Sequence, residues 1–248
     1  MEKRLIVEFT GLPASGKSTL KSGVQEDLVS KGYRIWTVRE YWRSMGLGEN
    51  VALWTSMMGM IRKVGVVLRA VCCNFPLVTR VPWGKIFSQN SIWTLYIILN
   101  AFLSNLAERE AVKCCVPRNT IALLDEGTVH RAYSLFVMPG YAIHGSEVIS
   151  YVQALKLPDL VVYIRSGISR CLDGMSRRGF PLRMKGMTRS EVLSLLSKGE
   201  IVLNTLAENL KHQPCSETYV LEVDGENLCE ARKRVIKWIE DHFHVPQA

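Results

Sequence analysis

The run Gly11-Leu12-Pro13-Ala14-Ser15-Gly16-Lys17-Ser18 fits the Walker A pattern G-x-x-x-x-G-K-[ST] at every fixed position. Two glycines at this spacing let a backbone wrap closely, so that successive N–H groups point at phosphate oxygens. A helix that starts at the lysine adds its positive dipole end. In such a loop Lys17 reaches the terminal phosphates, the Ser18 hydroxyl ligates Mg2+, and Thr19 bonds a phosphate oxygen nearer the nucleoside. Leu12, Pro13, Ala14 and Ser15 form the body of the loop. The chemistry within reach of these residues is the holding of a magnesium-bound nucleotide such as ATP.

A magnesium–nucleotide site also needs a carboxylate at the end of a neighbouring strand. Asp125 and Glu126 follow the apolar run Ile121-Ala122-Leu123-Leu124 and are the candidates. Successive strand residues point to opposite faces, so one of the pair reaches the metal and the other does not. Asp125, with Ser18, is the expected metal partner; Glu126 is the alternative. Whichever is left over caps the next helix or works on an acceptor.

The elements that must position these groups read as alternating strand and helix. Leu5 to Thr10, Arg34 to Val38, Ile121 to Leu124, Leu160 to Ile164 and Thr218 to Val223 are apolar, β-branched runs of the kind buried on both faces of a parallel sheet. Helical stretches separate them, one from the Walker loop to about Ser30 and closed by Gly32, another from Asn227 to His242. The pattern predicts a three-layer α/β/α P-loop NTPase fold with a five-stranded parallel sheet in a single domain over residues 1–248.

Composition bounds the partners. The chain has 248 residues, 48% of them apolar, and a formal charge of +8. Its seven cysteines include no C-x-x-C spacing, which fits reduced thiols and a cytoplasmic setting. Residues 51–107 contain no acidic residue and form an apolar helical insertion, too interrupted by Ser and Asn for a transmembrane span. That insertion is read as cover for the acceptor pocket or a homodimer contact, or else as a basic, apolar surface touching lipid headgroups at the membrane periphery. No nucleic acid partner is expected. The five histidines show no metal-ligand spacing, and their expected places are solvent or helix caps.

From the loop, the strand ends and a basic stretch at 175–189, the chain resembles the nucleoside monophosphate kinases, and among them the thymidylate-kinase-like branch. Thr37-Val38-Arg39-Glu40 is similar to the motif that ends the family's second strand, with Tyr41 in place of its proline. Met175 to Met184, with Arg177, Arg178 and Arg183, looks like the family's lid, and Gly225 lies in a segment similar to the loop that passes the adenine ring. After the third strand the family carries Asp-Arg and an aromatic residue, where this chain has Asp125-Glu126-Gly127. Arg131 is the stand-in expected for the missing arginine.

The resemblance implies an ATP- and Mg2+-dependent phosphotransferase acting on a small-molecule acceptor, with a nucleoside monophosphate as the first expectation. Lys17 and the lid arginines would stabilise the transferring group, Arg39 and Arg131 would hold the acceptor, and Glu40 or Glu126 would orient an acceptor hydroxyl. A sugar or lipid-linked hydroxyl is the second expectation, a nucleotide-dependent regulatory ATPase the third.

Overall fold

Alternation along β1 (Leu5–Gly11) decides the layering: Leu5, Val7 and Phe9 join one core, while Ile6, Glu8 and Thr10 turn to the other face of the sheet. A computed structural model describes residues 4–36, 65, 67–89, 92–212 and 218–243. The other strands are β2 (Ile35–Trp36), β3 (Ile121–Asp125), β4 (Leu160–Arg165) and β5 (Tyr219–Asp224). All pairings are parallel and the spatial order is β2-β3-β1-β4-β5, which is the expected five-stranded sheet. Register sets Phe9 beside Asp125 and Gly11 beside Ile164, so the carboxyl ends of the three central strands meet.

Helices α1 (Lys17–Ser30) and, at the end of the chain, Leu228–His242 cover the Leu5 face; their Leu20, Val24, Leu28, Ala231, Val235 and Ile239 are buried against it. The opposite face is larger. Residues 67–73 are helical, followed by α2 (Phe75–Thr79), α3 (Trp83–Gln89) and α4 (Ile92–Cys115). Then come α5 (Thr128–Phe136), α6 (Gly145–Ala154), α7 (Ile168–Arg178) and α8 (Arg189–Lys211), which makes Leu228–His242 helix α9. Phe102, Leu106, Phe136, Tyr151 and Leu203 are among the side chains that fill this second core. The apolar stretch read as an insertion passes residue 107 without a break, since α4 continues to Cys115. No described helix is long and apolar enough to cross a membrane. At the start of α4, Ile92, Trp93 and Tyr96 are exposed, and the last two stack at 5.7 Å.

Helix α8 packs unusually close to the site. A Cβ on Gly199 would stand 2.2 Å from Tyr133 Cε2 and 2.9 Å from Leu12 Cδ2. Gly199→Ala should therefore destabilise the protein by about 1–3 kcal/mol, although alanine is the better helix former by about 1 kcal/mol. Urea unfolding checks the sign: overpacking predicts a lower midpoint, and a raised one would mean the contact yields.

Candidate functional site

The loop after β1 has no room for other residues at its first glycine. A Cβ on Gly11 would lie 2.7 Å from the Ile164 carbonyl and 2.8 Å from Ser15 Oγ. Gly16, at φ 96°, starts α1 in the left-handed region where glycine is at ease, and Ala14 holds φ 63°. No side chain caps α1 and its first turn carries no acid, so its first amides, which lack partners one turn back, keep the positive end of the helix open to an anion. The loop is braced from β4, where the Ser166 hydroxyl donates to the Ser15 carbonyl at 3.1 Å. Gly225 backs this brace: its amide donates to the Arg165 carbonyl at 2.7 Å, and a Cβ there would fall 1.8 Å from Ser166 Oγ.

Lys17 is 5% exposed, and its ammonium donates to the carbonyls of Gly11 at 3.1 Å and Leu12 at 3.0 Å. It also lies 3.6 Å from Glu126 Oε1. Burial lowers its pKa from the ordinary lysine value, and Glu126 and Asp125 oppose that shift.

The two carboxylates part company as strand alternation requires. Asp125 follows Ile121 and Leu123 onto the α1 side, where Ser18 Oγ donates to its Oδ2 at 3.1 Å. Its Oδ1 is buried with no hydrogen-bond partner among the described residues. A carboxylate oxygen left bare beside a serine hydroxyl and an uncapped helix start is a donor set that fits Mg2+. Glu126 takes φ 60°, unusual for a side chain with a Cβ, and is 47% exposed. Its Oε1 lies 3.5 Å from His130 Nε2 as well as near Lys17.

His130 corrects an expectation. It is neither in solvent nor a helix cap but 3% exposed, with Nδ1 at 3.2 Å from the Thr10 hydroxyl. Burial, and then the charges of Lys17, Arg131 and Arg183, push its pKa well below the ordinary histidine value. His144 and His212 flank the ends of α6 and α8, and His242 stacks on Trp238 at 4.1 Å.

Behind this turn lies Glu8, 1% exposed and accepting the His130 amide at 2.8 Å at the start of α5. A Cβ on Gly127 would be 2.6 Å from the Glu8 carboxyl carbon, which is why a glycine follows Glu126. Burial raises Glu8 to about 7 against the helix amides and Arg109, and it raises Glu108 to about 7 against Arg131. Arg131, expected to hold an acceptor phosphate, is engaged throughout: Nε donates to Asn105 Oδ1 at 2.7 Å, Nη1 to Ser134 Oγ at 3.3 Å and Nη2 to the Glu126 carbonyl at 3.4 Å. Asn105 donates to that same carbonyl at 2.7 Å.

The basic segment crosses from α7 through a 3-10 turn (Leu182–Met184) to α8. Arg183 lies over the Tyr133 ring, 4.4 Å from its centroid, with Nη2 buried and unpartnered among the described residues. Arg178 is exposed yet near enough to Lys17 to depress its pKa, and Arg177, exposed, bonds back to the Asp173 carbonyl at 3.4 Å. Thr19 is exposed on the first turn of α1. Arg39 and Glu40 lie outside the described residues. Sequence reasoning missed Glu8, Thr10, Asn105, Glu108 and Tyr133; only Glu8, an acid inside an apolar strand, carried a signal of its own.

Sheet order and loop conformation define a P-loop-type three-layer α/β/α fold. No family model matches the chain, and no curated protein matches it. Among solved structures, one of deoxyadenosine kinase from M. mycoides, with the products dCMP and a flexible dCDP bound, is similar over 96% of this chain and 100% of that one, with 13% sequence identity and a TM-score of 0.48.

Glu8 links the site to stability. Its folded pKa of about 7 lies above the ordinary 4.5, so a penalty is absent below pH 4.5, grows as pH rises and is complete above pH 7. At about 1.4 kcal/mol per unit this amounts to about 3 kcal/mol. Urea unfolding at pH 5 and pH 7.5 should show the wild type losing stability over that interval and Glu8→Gln losing about half as much, the rest coming from Glu108. Equal losses would remove Glu8 from the account.

Proposed function

We propose that this chain is a magnesium-dependent kinase that transfers the γ-phosphoryl group of ATP to a hydroxyl of a small, nucleoside-like or sugar-like acceptor. The observation that carries this reading is Glu126, a carboxylate held 3.6 Å from Lys17, beside the place where the terminal phosphates would lie. A negative group there repels a phosphate acceptor but suits a hydroxyl, whose proton it can take. Arg131 supports the same choice, because each nitrogen of its guanidinium is occupied within the protein. The nucleoside monophosphate expectation therefore gives way to a hydroxyl acceptor.

The uncapped start of α1 and the loop amides would hold the phosphates, and Lys17 would follow them from its carbonyl partners. Ser18 and Asp125 would hold Mg2+, which supplies charge neutralisation on the phosphate oxygens. Arg183 and Arg178, already near Lys17 and Tyr133, would meet charge developing on the transferring group, with Arg177 further out. Gly225 would border the nucleoside, as its brace on Ser166 and Ser15 suggests.

The test is ATP consumption with Mg2+ against nucleosides, nucleoside monophosphates, sugars and polyprenols, with products identified by mass. A phosphorylated hydroxyl is expected. Lys17→Ala should cost at least about 100-fold in turnover, and Glu126→Gln about 100- to 10,000-fold with nucleotide affinity nearly unchanged. Rapid phosphorylation of a monophosphate would overturn the acceptor class, and hydrolysis independent of any acceptor would favour a regulatory ATPase.

A further inference from the structure

Two buried residues outside the Walker loop converge on Glu126 from behind. Thr10 is 1% exposed on β1, and its hydroxyl meets His130 Nδ1 at 3.2 Å; His130 Nε2 faces Glu126 Oε1 at 3.5 Å. The protonation pattern follows from valence. A carboxylate oxygen is an acceptor, so the ring nitrogen that faces it is the one that carries the hydrogen. A neutral imidazole then has a bare Nδ1, which must accept, and the Thr10 hydroxyl is the donor within reach. Burial, and the positive charges of Lys17, Arg131 and Arg183 around the ring, keep it neutral.

We propose that Thr10 and His130 are positioning residues that fix Glu126 as the base for an acceptor hydroxyl, through a chain running Thr10 O–H to Nδ1 and Nε2–H to Oε1. The inference rests on the kinase reading above. Both described contacts of the Glu126 carboxylate, Lys17 and His130, fall on Oε1, and no contact among the described residues falls on Oε2. Lys17 is the partner that incoming phosphates draw away, which leaves His130 to hold the carboxylate during transfer. Oε2 then takes the acceptor proton as the acceptor oxygen bonds to the γ-phosphorus and the bond to the bridging oxygen of ADP breaks; Glu126 afterwards releases the proton to water. His130 gains and loses no proton in this cycle. The strained φ of Glu126 belongs to the same device, since it turns the side chain back toward Lys17 and His130 instead of onward along β3.

The experiment has an arm that needs no acceptor. Nitrogen-15 spectra of histidine-labelled wild-type protein should show His130 as the neutral Nε2–H tautomer from pH 6 to 8, and as a mixture of tautomers in Thr10→Val. An Nδ1–H tautomer or a protonated ring in the wild type would overturn the proposal outright. In the second arm, using MgATP and the acceptor panel, Thr10→Val and His130→Gln should lower kcat about 10- to 100-fold with acceptor KM within about three-fold, and Thr10→Ser should restore it. Thermal midpoints and MgATP titration confirm that the variants keep fold and loop. If Glu126→Gln is inactive while Thr10→Val retains full kcat, the positioning role fails and the kinase reading stands. If Glu126→Gln is fully active, the base assignment fails and the inference falls with it.

Discussion

The carboxylate of Glu8, buried under the first amides of α5 and pressed against Gly127, is the contact around which the site is laid out. Removing a carboxyl group from water costs several kcal/mol unless hydrogen bonds and opposite charge replace hydration. Here the start of a helix, Arg109 and Arg131 supply part of that replacement, and burial outweighs them. Because α5 must begin where its amides meet Glu8, the turn before it has no freedom of position. Gly127 is forced by the lack of space, Glu126 takes a left-handed backbone, and His130 arrives one helical turn later on the inner side of α5.

Strand alternation does the rest of the sorting. Asp125, in line with Ile121 and Leu123, goes to the α1 side and meets Ser18, while Glu126 departs toward Lys17 and His130. Two adjacent acids thus serve different partners without sharing a site. The parallel register of β1 with β3 and β4 brings both within reach of the Walker loop.

Much of the fold was legible because its signals are local. Runs such as Leu160 to Ile164 read as buried strands, and the glycine spacing around Lys17 marked loop and helix together. Eight residues of Walker spacing need no distant partner to be recognised. The second half of the site was not legible for the opposite reason. Thr10 and His130 are 120 positions apart, Asn105 meets Arg131 across two helices, and Tyr133 matters through Gly199 and Arg183. A lone histidine on an amphipathic helix gives no sign of which neighbour it will face. Arg131 shows the converse: its charge was visible, but not that Asn105, Ser134 and the Glu126 carbonyl would claim it.

The segment that carries Arg183 is anchored unequally at its two ends. Toward α8 it runs into a capping box, in which Thr188 and Glu191 bond each other's side chains and amides. Toward α7 it leaves through Gly179, at φ 96° with open space where a Cβ would be. Gly186, at φ 85° with the same open space, is a second joint just ahead of the capping box. Arg183 therefore sits between two glycine joints and rests on Tyr133, whereas Arg177 and Arg178 lie beyond the first joint and share the fixed frame of α7.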